Sequence, residues 1–287
     1  MTNSPNNLAS CRMSATDSHS IETWQRIALA IEYDGAAYSG WQRQASPELP
    51  TIQSSLERAL SQVADTEITA TCAGRTDAGV HATCQVIHFD SPVDRSSKAW
   101  TMGVNSLLPE TIRVRWSQTV DAEFHARFSA TARQYFYIIY CSQVGSTVLH
   151  NKVTHSRDEL NYEVMNQAAQ ALLGEQDFSS FQAAGCQSKS PNRFVEHARV
   201  FMQGAFLILD IKANAFLQHM VRNIAGALLE IGREEQDSDW ISDLLAAKDR
   251  TLAGVTASPD GLYLVGIDYP AEFALPATRM QPLFLCA

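Results

Sequence analysis

Apolar positions recur along the chain at two spacings. Ile27, Leu29, Ile31 and Tyr33 alternate with their neighbours in the two-residue period of a strand, with alanines among the residues between. Ile52, Leu56, Leu60 and Val63 follow at helical spacing, with Ser, Glu and Arg on the opposite face, and Thr51 is placed to cap them. Glu67 to Cys72 and Thr83 to Phe89 again read as strands, Ser97 to Leu107 as a helix and Ile112 to Val120 as a strand. The first half thus predicts strand, helix, strand, strand, helix, strand, the order of a ferredoxin-like α+β unit.

That order recurs. Ala132 to Tyr140 reads as a strand, Leu160 to Leu173 as a helix, and Val195 to Met202 with Phe206 to Ala213 as a hairpin around Gly204. Leu217, Met220, Val221, Ile224, Leu228 and Ile231 form a helical stripe, and Leu262 to Tyr269 is the last strand. The expected fold class is α+β, with two similar ferredoxin-like α/β lobes and antiparallel sheets. The expected lobes are residues 23–122 and 123–287, joined near Asp121 to Arg127. Met1 to Ile21 is rich in Ser, Asn and Thr without apolar periodicity, so residues 1–22 are expected to be a disordered extension.

Composition narrows the class. The 287 residues are 45% hydrophobic and 18% charged, an ordinary globular balance with material for sizeable cores. No apolar run reaches transmembrane length and no basic-then-apolar leader pattern opens the chain, so no membrane association is expected. The six cysteines (Cys11, Cys72, Cys84, Cys141, Cys186, Cys286) contain no Cys-x-x-Cys pair, which suits neither a zinc site nor a disulfide framework and points to a reduced cytoplasmic setting. A net charge of −9 argues against a general nucleic-acid binder. It leaves a local basic groove open, because charges act over a Debye length of about 8 Å.

The candidate chemistry centres on Ala73-Gly74-Arg75-Thr76-Asp77-Ala78-Gly79-Val80-His81-Ala82. Two glycines bracket Arg75, Thr76 and Asp77 between two strands, so the loop can fold back tightly. A phosphate loop is disfavoured, because the Lys-Ser/Thr ending and the following helix pattern are missing. Two readings stay open on spacing alone. One is a tight turn with solvated charges; the other is an acid-base or nucleophilic carboxylate whose ionised form a guanidinium favours.

Other groups are weaker signals. Arg43, Arg75, Arg127, Arg133, Lys189, Arg193 and Arg222 lie beside turns or strand ends, as do Trp41, Phe128, Tyr135 and Tyr137. Such interleaving suits unstacked nucleotides if it converges on one cleft, and is scattered surface charge if it does not. Arg222 borders the apolar stripe of its helix beside Ala225, Gly226 and Leu229, where a guanidinium needs a carboxylate partner; Asp77 is the expected one, with the local acid Glu230 as the alternative. Tyr135 and Tyr137 share a strand face, and Tyr137 reads as core. His81, His88, His125, His197 and His219 lack metal spacing and read as turn, packing or RNA-contact residues. On the residues alone, a non-catalytic RNA-binding module and a carboxylate enzyme for a small molecule remain alternatives.

Four segments carry a family resemblance: Tyr33-Asp34-Gly35 with Tyr38-Ser39-Gly40-Trp41-Gln42; Ala73 to His81; Phe124-His125-Ala126-Arg127-Phe128-Ser129-Ala130; and Asn214-Ala215-Phe216 with His219-Met220-Val221-Arg222-Asn223. In that order they resemble the tRNA pseudouridine synthase A family, from about Arg26 to Pro282-Leu283-Phe284-Leu285. The resemblance implies an isomerase that converts uridine to pseudouridine at positions 38 to 40 of the tRNA anticodon stem-loop. It also implies a cytoplasmic homodimer whose two α/β lobes flank a central basic cleft, with no metal or cofactor. The family's catalytic aspartate falls on Asp77, its active-site, substrate-binding tyrosine on Tyr135, and its neighbouring arginines on Arg75 and Arg222. Attack by the aspartate at ribose C1′ and at uracil C6 are both compatible with these residues. Asn192, in Lys189-Ser190-Pro191-Asn192-Arg193, departs from the larger residue expected there.

Overall fold

The structure is a computed structural model that describes Met1 and residues 24–44 and 49–286. Apart from Met1, the expected N-terminal extension lies outside the described residues.

The chain forms a mixed α+β fold on one large sheet. Its ten strands are β1 (Gln25–Tyr33), β2 (Thr71–Cys72), β3 (His81–Ser91), β4 (Ile112–Val120), β5 (Ala132–Cys141), β6 (Thr154–Ser156), β7 (Gly174–Asp177), β8 (Asn192–Gln203), β9 (Phe206–Ala213) and β10 (Leu262–Asp268). The order across the sheet is β4-β1-β3-β10-β5-β9-β8-β7, with β2 paired to β3 and β6 to β5. Pairing is antiparallel except between β10 and β3 and between β5 and β6. The β3–β10 seam, which joins strands of the first half to strands of the second, is short: Tyr263 faces His81 and Leu264 faces Ala82.

Among the described residues five α-helices accompany the sheet: α1 (Ile52–Ala64), α2 (Val104–Leu107), α3 (Tyr162–Ala169), α4 (Met220–Gly232) and α5 (Trp240–Ala247). The Thr51 side chain caps α1 by accepting from the Ser54 amide, as its position predicts. On β5, Tyr135, Tyr137 and Ile139 join the main core with α1 and α4, while Phe136 and Ile138 face the other side. There Phe284 and Leu285 of the C-terminal segment pack on Phe136, Ile208 and Tyr263. No described helix is long and apolar enough to cross a membrane.

Several elements differ from the sequence reading. The expected strand from Glu67 to Cys72 pairs only at Thr71 and Cys72. Its earlier part is held on α1 instead: the Ile68 amide donates to Ser61 Oγ at 2.9 Å and the Ala70 amide to the buried Glu57 Oε1 at 3.0 Å. β3 is buried on both faces along nearly its whole length, so its residues do not alternate. The second face is covered from the C-terminal segment, where Thr83 Oγ1 donates to the Met280 carbonyl. The helix expected from Ser97 begins as a π turn at Ala99–Gly103 and becomes α2. The helix expected over Leu160 to Leu173 is α3 followed by a 3-10 turn at Gln170–Leu172. Strands β6 and β7 and helix α5 were not anticipated, although Ile241, Leu244 and Leu245 have helical spacing and are buried.

Candidate functional site

The Asp77 loop leaves β2 and re-enters the sheet at His81, on the seam between β3 and β10. At its base the Gln85 side chain replaces a ladder rung: Nε2 donates to the Gly74 carbonyl at 2.5 Å, and the Gly74 amide donates to Oε1 at 3.3 Å. The loop after β1 clamps the rest. The Tyr33 and Thr76 hydroxyls are 2.8 Å apart, the Trp41 amide donates to the Thr76 carbonyl at 3.0 Å, and the Gly79 amide donates to the Tyr38 carbonyl at 3.2 Å. This contact requires glycine. A Cβ on Gly35 would lie 1.9 Å from the Val80 carbonyl oxygen, and Gly40 takes a φ of +95° with the Thr76 carbonyl 2.9 Å from where its Cβ would be. Two of the four motif segments are therefore one physical unit, and Asp77 sits in it without freedom to swing away.

The Asp77 carboxylate is partly exposed, with His219 Nε2 3.7 Å from Oδ2. His219 immediately precedes α4 and holds a left-handed φ of +61°. That conformation is uncommon for a residue with a side chain and is maintained by its surroundings. Burial pushes the Asp77 carboxyl above the usual carboxylate range, while His219 and Arg222 pull it back. Arg222 is one turn along α4. Its Nε donates to the Ala257 carbonyl at 2.8 Å and its own carbonyl accepts from the Ala257 amide at 3.1 Å. The expected direct pair between Arg222 and Asp77 is thus replaced: a backbone carbonyl anchors the guanidinium, which acts on Asp77 through its field. The small residues beside Arg222 do admit a neighbour, since a Cβ on Gly226 would stand 2.0 Å from the Val255 carbonyl.

Tyr135 is buried on β5, with its ring edge-on to Phe216 at 5.1 Å. Burial, reinforced by the Asp77 charge, pushes its hydroxyl far above the usual phenol range, so it stays protonated. A Cβ on Gly74 would lie 3.8 Å from the Tyr135 hydroxyl, which places the ring behind the Asp77 loop. Tyr137 is structural: its hydroxyl is 2.6 Å from Thr154 Oγ1 and donates to the Ser258 carbonyl at 2.9 Å. Arg75 is exposed on the loop.

Two residues named in the sequence reading had no role at Asp77 assigned to them. One is His219, whose partner is far away in the chain; its signal is a place one helical turn before Arg222. The other is Arg133, two residues before Tyr135. Its guanidinium donates to the carbonyls of Ala73 at 2.8 Å, Arg127 at 2.6 Å, Ala130 at 3.0 Å and Asn214 at 2.9 Å. One side chain so ties together the start of the Asp77 loop, the 124–130 segment and the segment that carries Phe216. Arg193 serves its own loop, donating to Ser188 Oγ at 2.7 Å and to the Ser190 carbonyl at 2.9 Å. Among the described residues no group of three or more His, Cys, Asp or Glu could hold a metal ion.

Chemically, the arrangement offers a fixed, partly exposed carboxylate beside His219, within the field of Arg222 and backed by a protonated phenol. A family model described as tRNA pseudouridine synthase matches residues 29–129 and 168–270. A Cronobacter sakazakii protein named tRNA pseudouridine synthase A is 57% identical over 260 residues, covering 91% of this chain and 96% of its own. A Pseudoalteromonas atlantica protein of the same name is 54% identical over 260 residues, covering 91% of this chain and 98% of its own. A chain from the crystal structure of a Cbf5-Nop10-Gar1 complex covers 71% of this chain and 45% of its own at 13% identity, with a TM-score of 0.28, too low to bear on the fold. The chain therefore belongs to the tRNA pseudouridine synthase family, isomerases that act on uridine in tRNA.

Proposed function

We propose that this enzyme converts uridine to pseudouridine at positions 38 to 40 of the tRNA anticodon stem-loop, with Asp77 as the nucleophile. The observation that carries this reading is the clamped Asp77 carboxylate, set beside His219 and Arg222 on the seam of the sheet. A nucleophile must be ionised yet poorly solvated; burial limits its solvation, and His219 and Arg222 oppose the effect of burial on its charge.

A uridine within a stem-loop leaves the base stack to reach such a group. Asp77 attacks ribose C1′ or uracil C6, and the C1′–N1 bond breaks. The uracil turns in place, C5 bonds to C1′, the Asp77–carbon bond breaks to return the carboxylate, and the C5 proton leaves as N1 gains one, so the product is an isomer. Tyr135 lies against the base and stays neutral at working pH. Arg222 supports the carboxylate, and Arg75, exposed on the same loop, meets the RNA backbone. The net charge of −9 does not oppose this, because arginines gathered near one groove act locally.

We also read the architecture as two ferredoxin-like lobes, residues 23–122 and 123–287. The strand orders β4-β1-β3-β2 and β10-β5-β9-β8 support this, since each is fourth, first, third, second within its half once the short β6 and β7 of the second are left out. The cleft lies between the lobes, and the enzyme acts as a cytoplasmic homodimer, where its tRNA substrate is. The test is to incubate unmodified tRNA with the purified protein and map pseudouridine by position. New pseudouridine at positions 38 to 40 supports the reading; its absence there refutes it.

A further inference from the structure

The 124–130 segment holds a side chain that the chemistry above does not use. Phe128 is 78% exposed, so it adds little to folding. Single exposed apolar residues are common, and exposure alone means nothing. What separates Phe128 is how rigidly it is presented. Phe124 is fully buried against Tyr269 and Phe273. The Ala126 amide donates to His88 Nδ1 at 3.1 Å, and its carbonyl accepts from the Tyr269 hydroxyl at 2.7 Å. The inward residues 124 and 126 thus nail the segment down, while 125, 127 and 128 are turned outward.

The outward residues form a stack. The Phe128 ring lies on the His125 imidazole, centroids 4.3 Å apart and planes 27° apart, and His125 in turn meets His88 at 4.6 Å. His125 is fixed, because its Nδ1 accepts from the amides of both Arg127 and Phe128 at 3.2 and 3.1 Å. The Arg127 guanidinium is 5.7 Å from the Phe128 ring centre and adds positive charge beside an apolar plate. Arg133 bonds the carbonyls of Arg127 and Ala73 through one nitrogen, so the plate is anchored to the first residue of the Asp77 loop.

We propose that Phe128, backed by His125, is a stacking platform for an unpaired nucleobase of the tRNA substrate, distinct from the pocket that receives the reacting uridine. A pre-organised aromatic plate with a flanking guanidinium suits a base that has left its stack beside a phosphate. The inference rests on the tRNA reading above, and its occupant is RNA rather than a second copy of this chain.

The test is direct binding of an unmodified tRNA transcript to the full-length protein. Phe128→Ala raises Kd about 5- to 100-fold, the range that loss of one base–aromatic stack gives. Phe128→Trp retains affinity, whereas Phe128→Leu, apolar but without a ring, behaves like the alanine variant. The slope of log Kd against log salt is unchanged in Phe128→Ala and shallower by about one in Arg127→Ala. A wild-type Kd in Phe128→Ala, or in Phe128→Leu, overturns the platform. So does a loss of affinity that tracks a change in oligomeric state, which would assign the ring to a subunit contact. Wild-type protein that forms no pseudouridine refutes the tRNA reading instead, so the two failures are told apart.

Discussion

His219 Nε2 lies 3.7 Å from Asp77 Oδ2, and the histidine reaches that place from a backbone with positive φ. The helix that follows carries Arg222, whose guanidinium acts on the same carboxylate through its field, so one helix start supplies both neighbours. Burial works against the ionised carboxylate, and these two groups work for it.

A consequence for pH follows. A reaction that needs the Asp77 carboxylate fails as pH falls through that group's ionisation. His219→Gln removes the larger of the two opposing influences, so the Asp77 pKa rises and the acid limb of kcat/KM moves to higher pH. An acid limb that does not move counts against His219 as a partner of Asp77.

Arg133 should matter for placement rather than for chemistry. Lysine keeps the charge but cannot span four carbonyls. Arg133→Lys therefore loosens the Asp77 loop against Tyr135 and lowers kcat about 100-fold, as misplacements of about 1 Å do. The loss should persist at temperatures where circular dichroism shows the variant folded, with tRNA affinity reduced much less. Full activity in this variant contradicts the role.

His88 gives a stability prediction. Burial, aided by His125 and then Arg26, lowers its pKa to about 4 from the usual 6.5. Between those values the unfolded chain binds the proton and the folded chain does not, so this contribution to stability is complete above pH 6.5 and is lost as pH falls towards 4. The wild-type Tm should decline across that window, and the decline should be smaller in His88→Gln. An equal decline in both proteins places the acid sensitivity elsewhere.

The parts legible in the sequence are those determined locally. The Thr51 cap, the 52–64 helix and the hairpin around Gly204 each depend on residues close in the chain. What escaped depends on partners far away. Glu67 to Ala70 have strand-like sequence, but Glu57 and Ser61 of α1 take their amides. β3 loses its alternation because distant segments cover it, the 124–126 segment at His88 and the C-terminal segment at Thr83 and Cys84. His219 reads as an ordinary histidine beside an apolar stripe until the fold brings Asp77 to it. Arg133 looks like a surface charge until four carbonyls from three segments converge on it. The pairing of Arg222 with Asp77 was drawn from charge alone, and the Ala257 carbonyl takes the contact instead.

The central claim is that the Asp77 carboxylate carries the reaction. The most direct measurement compares wild-type protein with Asp77→Asn on the same unmodified tRNA, scoring pseudouridine at positions 38 to 40 and Kd in parallel. The account predicts pseudouridine from the wild type, none above background from Asp77→Asn, and a Kd within about threefold of wild type, since one neutralised carboxylate changes few RNA contacts. Pseudouridine formed by Asp77→Asn at a rate near that of the wild type would contradict it.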